Sequence, residues 1–197
     1  MGKRRGPGIV GIAARLAAVA AIGATSNDPR TLTIDKRAAA AIDRTRREEL
    51  DRLMPVVTDL GSLYAMLGTA GVLALGGARK LALRTAAAGG LAWIAAQGLK
   101  PLYERVRPYQ AGTATKLVRT PAGTSYPSGH PAVAMAMARV LSQEARWPFT
   151  MLLGKVPDLV AFSRVYNGVH HPTDVFGGLL LGRAVGDLVL RGARSGR

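Results

Sequence analysis

The sequence predicts an all-α fold, a multi-pass transmembrane helical bundle of six spans with one long extramembrane loop. Hydrophobic residues make up 48% of the 197-residue chain and are gathered into long runs of Ala, Leu, Val and Gly. The clearest runs approach the ~20 residues that a helix needs to cross a bilayer, and small residues let such helices pack closely. Residues 101–126 are polar and rich in Pro and Gly, which predicts the loop. The length suits one domain, so we expect a single unit over 1–197.

The apolar runs mark the expected spans. Within an expected core over 53–190, five runs follow one another at 60–77, 81–99, 130–141, 147–162 and 175–190. The last run carries Arg183 and Asp187 four residues apart. Such a pair within a span is expected to face the bundle interior or solvent.

The N-terminal run 9–24 is interrupted by Arg15 and fits two interpretations. One is a sixth span. Its basic start, Lys3-Arg4-Arg5, and its Ala24-Thr25-Ser26 end also fit a secretory signal peptide. Removing the run would leave an odd number of crossings, so the sixth span is favoured.

Segment 31–52 is dense in charges of both signs, with an apolar stripe at 38–42. An amphipathic helix lying at the membrane surface fits this pattern. A solvated helix held by ion pairs four residues apart fits it equally well, so both interpretations stay open.

The charge balance limits the partners. The chain has 27 Lys and Arg against 12 Asp and Glu, a formal charge of +15, which indicates a polyanionic partner such as nucleic acid, an anionic membrane surface or a phosphorylated substrate. Aromatic residues are only 5% of the chain, too few for the stacking that single-strand nucleic-acid binders use, so we expect no nucleic acid. The absence of Cys excludes disulfides, thiolate metal sites and cysteine nucleophiles.

Three clusters contain the side chains that can bind or react with a ligand, namely Lys, Arg, Ser, His and Asp. They lie in and beside the predicted loop and in the later runs. Each has an ordinary structural explanation when taken alone: interfacial anchors for the basic residues, and helix starts for the Pro, Ser and His residues. The clusters are Lys100 with Arg107-Pro108, then Pro127-Ser128-Gly129-His130, then Ser163-Arg164 with His170 and Asp174.

Together the clusters fit the binding of a phosphoryl group. The cations Lys100, Arg107 and Arg164 can neutralise the phosphate oxygens in the ground state and the transition state. Ser128 and Gly129 stand at an expected helix N-terminus, where free backbone N–H groups bind anions.

The two histidines fit two different roles. Asp174 follows His170 by four residues, so a helix starting at Pro172-Thr173 can bring its carboxylate to one ring nitrogen and leave the other as a nucleophile. His130 is then placed to protonate the leaving alkoxide and later to activate water. This arrangement requires no metal and no cofactor, and the sequence offers no carboxylate cluster to hold a metal.

These residues resemble the three signature motifs of the type 2 phosphatidic acid phosphatase family, lipid phosphate phosphatase branch. KxxxxxxRP, PSGH and SRxxxxxHxxxD match at eleven fixed positions, in order and spacing. The resemblance implies a six-span helical bundle with a metal-independent hydrolase site. It also implies His170 as nucleophile, Asp174 as its partner, His130 as acid, and Lys100, Arg107, Ser128, Gly129 and Arg164 as phosphate ligands.

The expected activity is hydrolysis of a lipid phosphate through a phosphohistidine. The substrate is expected to be of the phosphatidic acid or phosphatidylglycerol phosphate type, or a polyprenyl phosphate, diphosphate or polyprenyl-linked sugar phosphate. Two alternatives stay open: a soluble acid phosphatase of the same superfamily and a non-catalytic protein that binds anionic membranes.

The expected location is the cell (inner) membrane, with the site on the outer side. With six spans, both loops that carry the clusters lie opposite the termini. Basic residues at 3–5, in the turn at 79–80 and in the tail at 191–197 mark the cytoplasmic face by the positive-inside rule. The arginines of segment 31–52 argue for the opposite orientation, but both termini and the turn agree.

Overall fold

The computed structural model describes residues 8–195 of the chain; the basic positions Lys3, Arg4, Arg5 and Arg197 lie outside them. Over the described residues the fold is entirely helical, with no strand, as the sequence predicts. A single 3₁₀ turn at Asp59–Gly61 separates the third helix from the fourth. The helices are α1 Ile9–Ala24, α2 Pro29–Asp43, α3 Glu48–Thr58, α4 Leu63–Leu75, α5 Arg79–Tyr103, α6 Gly129–Leu141, α7 Phe149–Tyr166 and α8 Pro172–Ser195.

Helix α6 lies at the centre, packed against α5, α7 and α8. Its contact with α8 is very close because glycines of α8 face its backbone. A Cβ at Gly182 would lie 2.2 Å from the carbonyl oxygen of Ala132, and one at Gly178 would lie 2.3 Å from that of Ser128. Only glycine permits this approach, which brings the start of α8 beside the start of α6.

Two bent helix pairs, and no single helix in the described part of the chain, are long and apolar enough to cross a membrane. The pairs are α1 with α2, bent by 99°, and Glu48–Gly61 with α4, bent by 59°. The count of six spans therefore stays a prediction. Large apolar side chains are nevertheless exposed on the outer faces of several helices, among them Leu67, Val72, Leu75, Leu83, Ile94 and Leu152.

The prediction of one helix over 31–52 is wrong, because the chain breaks between Asp43 and Glu48. Residues in and after the break contact α7. The Arg46 guanidinium donates to the carbonyl oxygen of Tyr166 at 2.7 Å and lies 4.9 Å from the centre of the Tyr166 ring. The Tyr166 hydroxyl in turn donates to Asp51 at 2.7 Å. Helices α2 and α3 therefore pack over the C-terminal end of α7.

Arg183 and Asp187 do not act as a pair. Asp187 is buried and accepts from Arg139 of α6 at 2.6 Å, with Arg15 of α1 at 3.2 Å, whereas Arg183 is exposed. A buried carboxylate needs cations that reach it inside the bundle, and the neighbouring helices supply them. This contact also explains Arg15 within an apolar run. It ties α1 to the bundle, as does the Tyr126 hydroxyl, which donates to the carbonyl oxygen of Val19 at 2.6 Å.

Candidate active site

The irregular segment 104–128, between α5 and α6, is folded around the side chain of Arg107. Arg107 is only 1% exposed. Its guanidinium donates to three consecutive loop carbonyls, those of Ala122, Gly123 and Thr124, at 3.0 to 3.1 Å, and to that of Val169 at 2.9 Å. These bonds fix the position of the cation before any ligand arrives.

Lys100 and Arg164 converge on the same region from α5 and α7. The Lys100 ammonium donates to the carbonyl oxygen of Thr124, which Arg107 also uses. Arg164 is 3% exposed and donates to the Thr58 hydroxyl at 3.0 Å, while its Nε has no hydrogen-bond partner within residues 8–195. Buried donors are normally paired, so this cluster of cations is suited to an anion.

Ser128 and Gly129 lie at the start of α6, as predicted. Ser128 occupies the N-cap position, but its hydroxyl does not cap the helix; it is buried and without a partner in the described part of the chain. Its backbone N–H donates to the carbonyl oxygen of Asp174 at 3.1 Å. The free Ser128 hydroxyl and the first N–H groups of α6 therefore add uncharged donors to the three cations.

His170 lies in the turn between α7 and α8 and is 3% exposed. Its Nε2 is 3.1 Å from a guanidinium nitrogen of Arg107, which can only donate. Nε2 is therefore the acceptor, and the ring proton sits on Nδ1, 3.5 Å from Oδ2 of Asp174. That distance is long for a hydrogen bond, so the contact between the imidazole and the carboxylate is mainly electrostatic here.

Burial is the largest influence on the charge of His170. It holds the pKa of His170 well below the ordinary value of 6.5, although the Asp174 carboxylate acts in the opposite direction. A lowered pKa means that the neutral, nucleophilic form persists at neutral pH and into mild acid.

His130 lies in the first turn of α6, partly buried, and the charges of Arg164, Lys100 and Arg107 all bear on it. The structure thus brings all eight sequence-predicted residues into one cluster. No group of three His, Asp or Glu side chains within residues 8–195 is arranged to hold a metal ion.

Sequence reasoning missed the residues that surround Asp174. Arg105 is 1% exposed and donates to Oδ1 of Asp174 at 2.6 Å, while Ser125 donates to Oδ2 at 2.5 Å. Arg105 also contacts Asp35 of α2, a fully buried carboxylate 70 positions earlier in the chain. Nothing in the sequence separates Arg105 from the many other arginines, and only the fold brings Asp35 to it.

Buried cations around a neutral histidine, with a second histidine in a neighbouring helix start, are the groups that phosphoryl transfer in an all-helical bundle would require. The sequence profile of the PAP2 superfamily matches residues 78–194, and the chain belongs to this superfamily.

Curated relatives agree with this assignment. The chain is 34% identical to a decaprenylphosphoryl-5-phosphoribose phosphatase of Mycobacterium tuberculosis over 64% of this chain and 69% of that protein. It is 32% identical to an undecaprenyl-diphosphatase of Sulfolobus acidocaldarius over 68% and 66% of the two chains.

Solved structures agree as well. A transmembrane PAP2-type phosphatidylglycerolphosphate phosphatase from Bacillus subtilis superposes with a TM-score of 0.82 and 26% identity, covering 95% of this chain and 98% of that one. LpxE of Aquifex aeolicus superposes with a TM-score of 0.72 and 27% identity, covering 79% and 93%. These likenesses confirm the predicted membrane phosphatase of this superfamily.

Proposed function

We propose that the protein hydrolyses the phosphate or diphosphate of a polyprenyl-linked lipid through a phosphohistidine on His170. The observation that carries the proposal is the environment of His170: a buried neutral imidazole whose unprotonated Nε2 faces a fixed guanidinium. A phosphate held by Arg107, Lys100 and Arg164 would place its phosphorus next to that nitrogen.

The first half of the reaction forms a P–N bond and breaks a P–O bond. Nε2 of His170 attacks phosphorus, and His130 gives its proton to the departing lipid oxygen. The negative charges of the bound phosphate offset the three cations and thereby favour a proton on His130 before attack. The Asp174 carboxylate stabilises the positive charge that develops on the His170 ring.

The second half reverses the roles. His130, now neutral, takes a proton from water, whose oxygen attacks phosphorus and breaks the P–N bond. Inorganic phosphate leaves, and His170 returns to its neutral form. No proton or charge is left over at the end of the cycle.

The substrate class is supported by the polyprenyl-linked substrates named for the curated relatives. A cavity of about 650 Å³ between α2, the loop and α7 reaches His170, but none of Lys100, Arg107 and Arg164 lines it. It therefore lies to one side of the phosphate-binding cluster.

Phosphate release from a panel of lipids in detergent tests the proposal. We expect kcat/KM for a polyprenyl monophosphate or diphosphate to exceed that for phosphatidic acid and phosphatidylglycerol phosphate by about tenfold or more, a difference of ~1.4 kcal/mol. A preference for phosphatidylglycerol phosphate would replace the substrate class with that of the Bacillus subtilis neighbour.

EDTA should leave the activity unchanged and vanadate should inhibit, whereas a loss of activity in EDTA that Mg²⁺ restores would contradict the mechanism.

We further propose that the site faces the outside of the cell membrane, on the Lys and Arg distribution given above. The chain has no native Cys, so single cysteines report on sidedness. Ala111→Cys in the loop should react with an impermeant maleimide in intact cells. Lys80→Cys, at the other end of α5, should react only after lysis; the reverse pattern would place the site on the cytoplasmic side. Ala111 is preferable to its neighbour Gly112, whose φ of +69° disfavours a side chain.

A further inference from the structure

Asp35 is the only buried residue of α2, a helix that is otherwise exposed or half-buried. Burying an ionised carboxylate costs several kcal/mol unless partners compensate for it. Apolar residues are the usual buried contact of a surface helix, so a fully buried carboxylate calls for a specific role. Its partners show what that role is.

Asp35 is bound by two residues that also touch the catalytic region. Its Oδ1 accepts from the backbone N–H of Thr173 at 2.9 Å, and its Oδ2 accepts from the Thr173 hydroxyl at 2.8 Å and from Arg105. The other terminal nitrogen of Arg105 donates to the Thr173 hydroxyl at 2.7 Å and to Asp174 at 2.6 Å. We call Asp35, Arg105, Thr173 and Asp174 the Arg105 network.

The Arg105 network, together with the Ser125 hydroxyl and the His171 backbone N–H that donate to Oδ2, fixes which oxygen of Asp174 faces His170. Arg105 occupies Oδ1, so Oδ2 is the oxygen directed at Nδ1 of His170. The network also sets the net charge that acts on the His170 imidazole. One guanidinium is shared between two carboxylates, so Asp174 keeps a net negative influence on the imidazole, which a private pair with Arg105 would cancel.

We propose that Asp35 is a positioning residue for the phosphotransfer step, holding Arg105 so that Asp174 can orient His170 and stabilise its developing charge. The inference rests on the proposed role of His170 as nucleophile. The hydrogen bonds of Asp35 go to Arg105 and Thr173 and to none of the phosphate-binding residues. Its effect is therefore expected on the transition state and little on substrate binding.

The test is Asp35→Asn in the full-length enzyme in detergent. The amide places an N–H toward Arg105 and removes the charge that Arg105 shares. We expect kcat to fall about 10- to 100-fold, the range found when a residue that orients a metal-bound histidine is removed, while KM stays within about twofold. Asp158→Asn, an exposed carboxylate on α7, is the matched control and should retain full activity.

Inhibitors separate positioning from a general structural defect. Vanadate bound to the His170 imidazole imitates the five-coordinate transition state, whereas inorganic phosphate imitates the product. We expect the Ki of vanadate to rise with the loss in kcat and the Ki of phosphate to change by less than about twofold. Equal rises in both Ki values, or a kcat within about twofold of wild type, would overturn the inference.

Thr173→Val keeps the test decisive if Asp35→Asn does not fold. It removes the hydroxyl that joins Asp35 to Arg105 and keeps the shape of the side chain and the backbone N–H bond. We expect a smaller loss in kcat than for Asp35→Asn, with a rise in the Ki of vanadate and little change in the Ki of phosphate. Unchanged kinetics would overturn the inference. A wild-type enzyme that releases no phosphate or ignores vanadate would instead contradict the proposed function, which the Asp35 comparison does not test.

Discussion

Replacing His170 by alanine is expected to lower phosphate release by on the order of 10⁴-fold or more, because the variant lacks the atom that forms the P–N bond. The cations and the helix N-terminus remain, so substrate should still bind. Initial rates with the preferred lipid phosphate measure the effect, and a monodisperse, thermally stable preparation shows that the fold survives. Retention of more than roughly a few per cent of wild-type activity would contradict the phosphohistidine mechanism.

A neighbouring histidine provides the control for His170→Ala. His171→Ala removes an imidazole one position away but keeps the backbone N–H that donates to Asp174 at 2.7 Å. Incubation with a labelled substrate should leave a phosphoryl group on this variant and none on His170→Ala. The label should be stable in alkali and lost in acid, as expected of a phosphoramidate.

His130→Ala is expected to separate the two halves of the reaction. Loss of the general acid should slow cleavage of a lipid alkoxide by about 10²- to 10⁴-fold, but far less with a phenolic leaving group, which needs no proton. Hydrolysis of the intermediate also needs His130, so phosphoenzyme should accumulate with the phenolic substrate. Rapid-quench measurements should show a burst of phenol followed by slow turnover. Equal losses for both substrates, without accumulation, would argue against an acid–base role for His130.

The sequence was informative where chemistry depends on local spacing. Pro172 starts α8, so Asp174 falls in its first turn and faces back to His170, as the four-residue spacing predicts. Ser128 and Gly129 likewise stand at the start of α6. Such positions follow from helix geometry and from start signals that neighbouring residues provide.

Contacts between distant segments lay beyond sequence reasoning. The helix breaks after Asp43, where Arg46 contacts Tyr166, 120 positions later. Asp187 pairs with arginines of two other helices instead of with the one four residues away. The burial of Asp35 and Arg105 leaves no sign in the sequence because it arises only when α2 packs over the loop. Pattern and propensity do not specify these tertiary choices.

The glycine contacts between α8 and α6 limit how far His130 and His170 can move relative to each other. The proposed mechanism requires His130 and His170 to lie at a fixed separation across a phosphorus atom, and displacement by about 1 Å can cost on the order of 10²-fold in rate. That separation is set by two backbones in direct contact at Gly178 and Gly182, where flexible side chains could yield but main chain cannot. Two glycines, which have no side chains, thus fix the distance between the two helix starts. The position of the two histidines therefore depends on residues that carry no functional group.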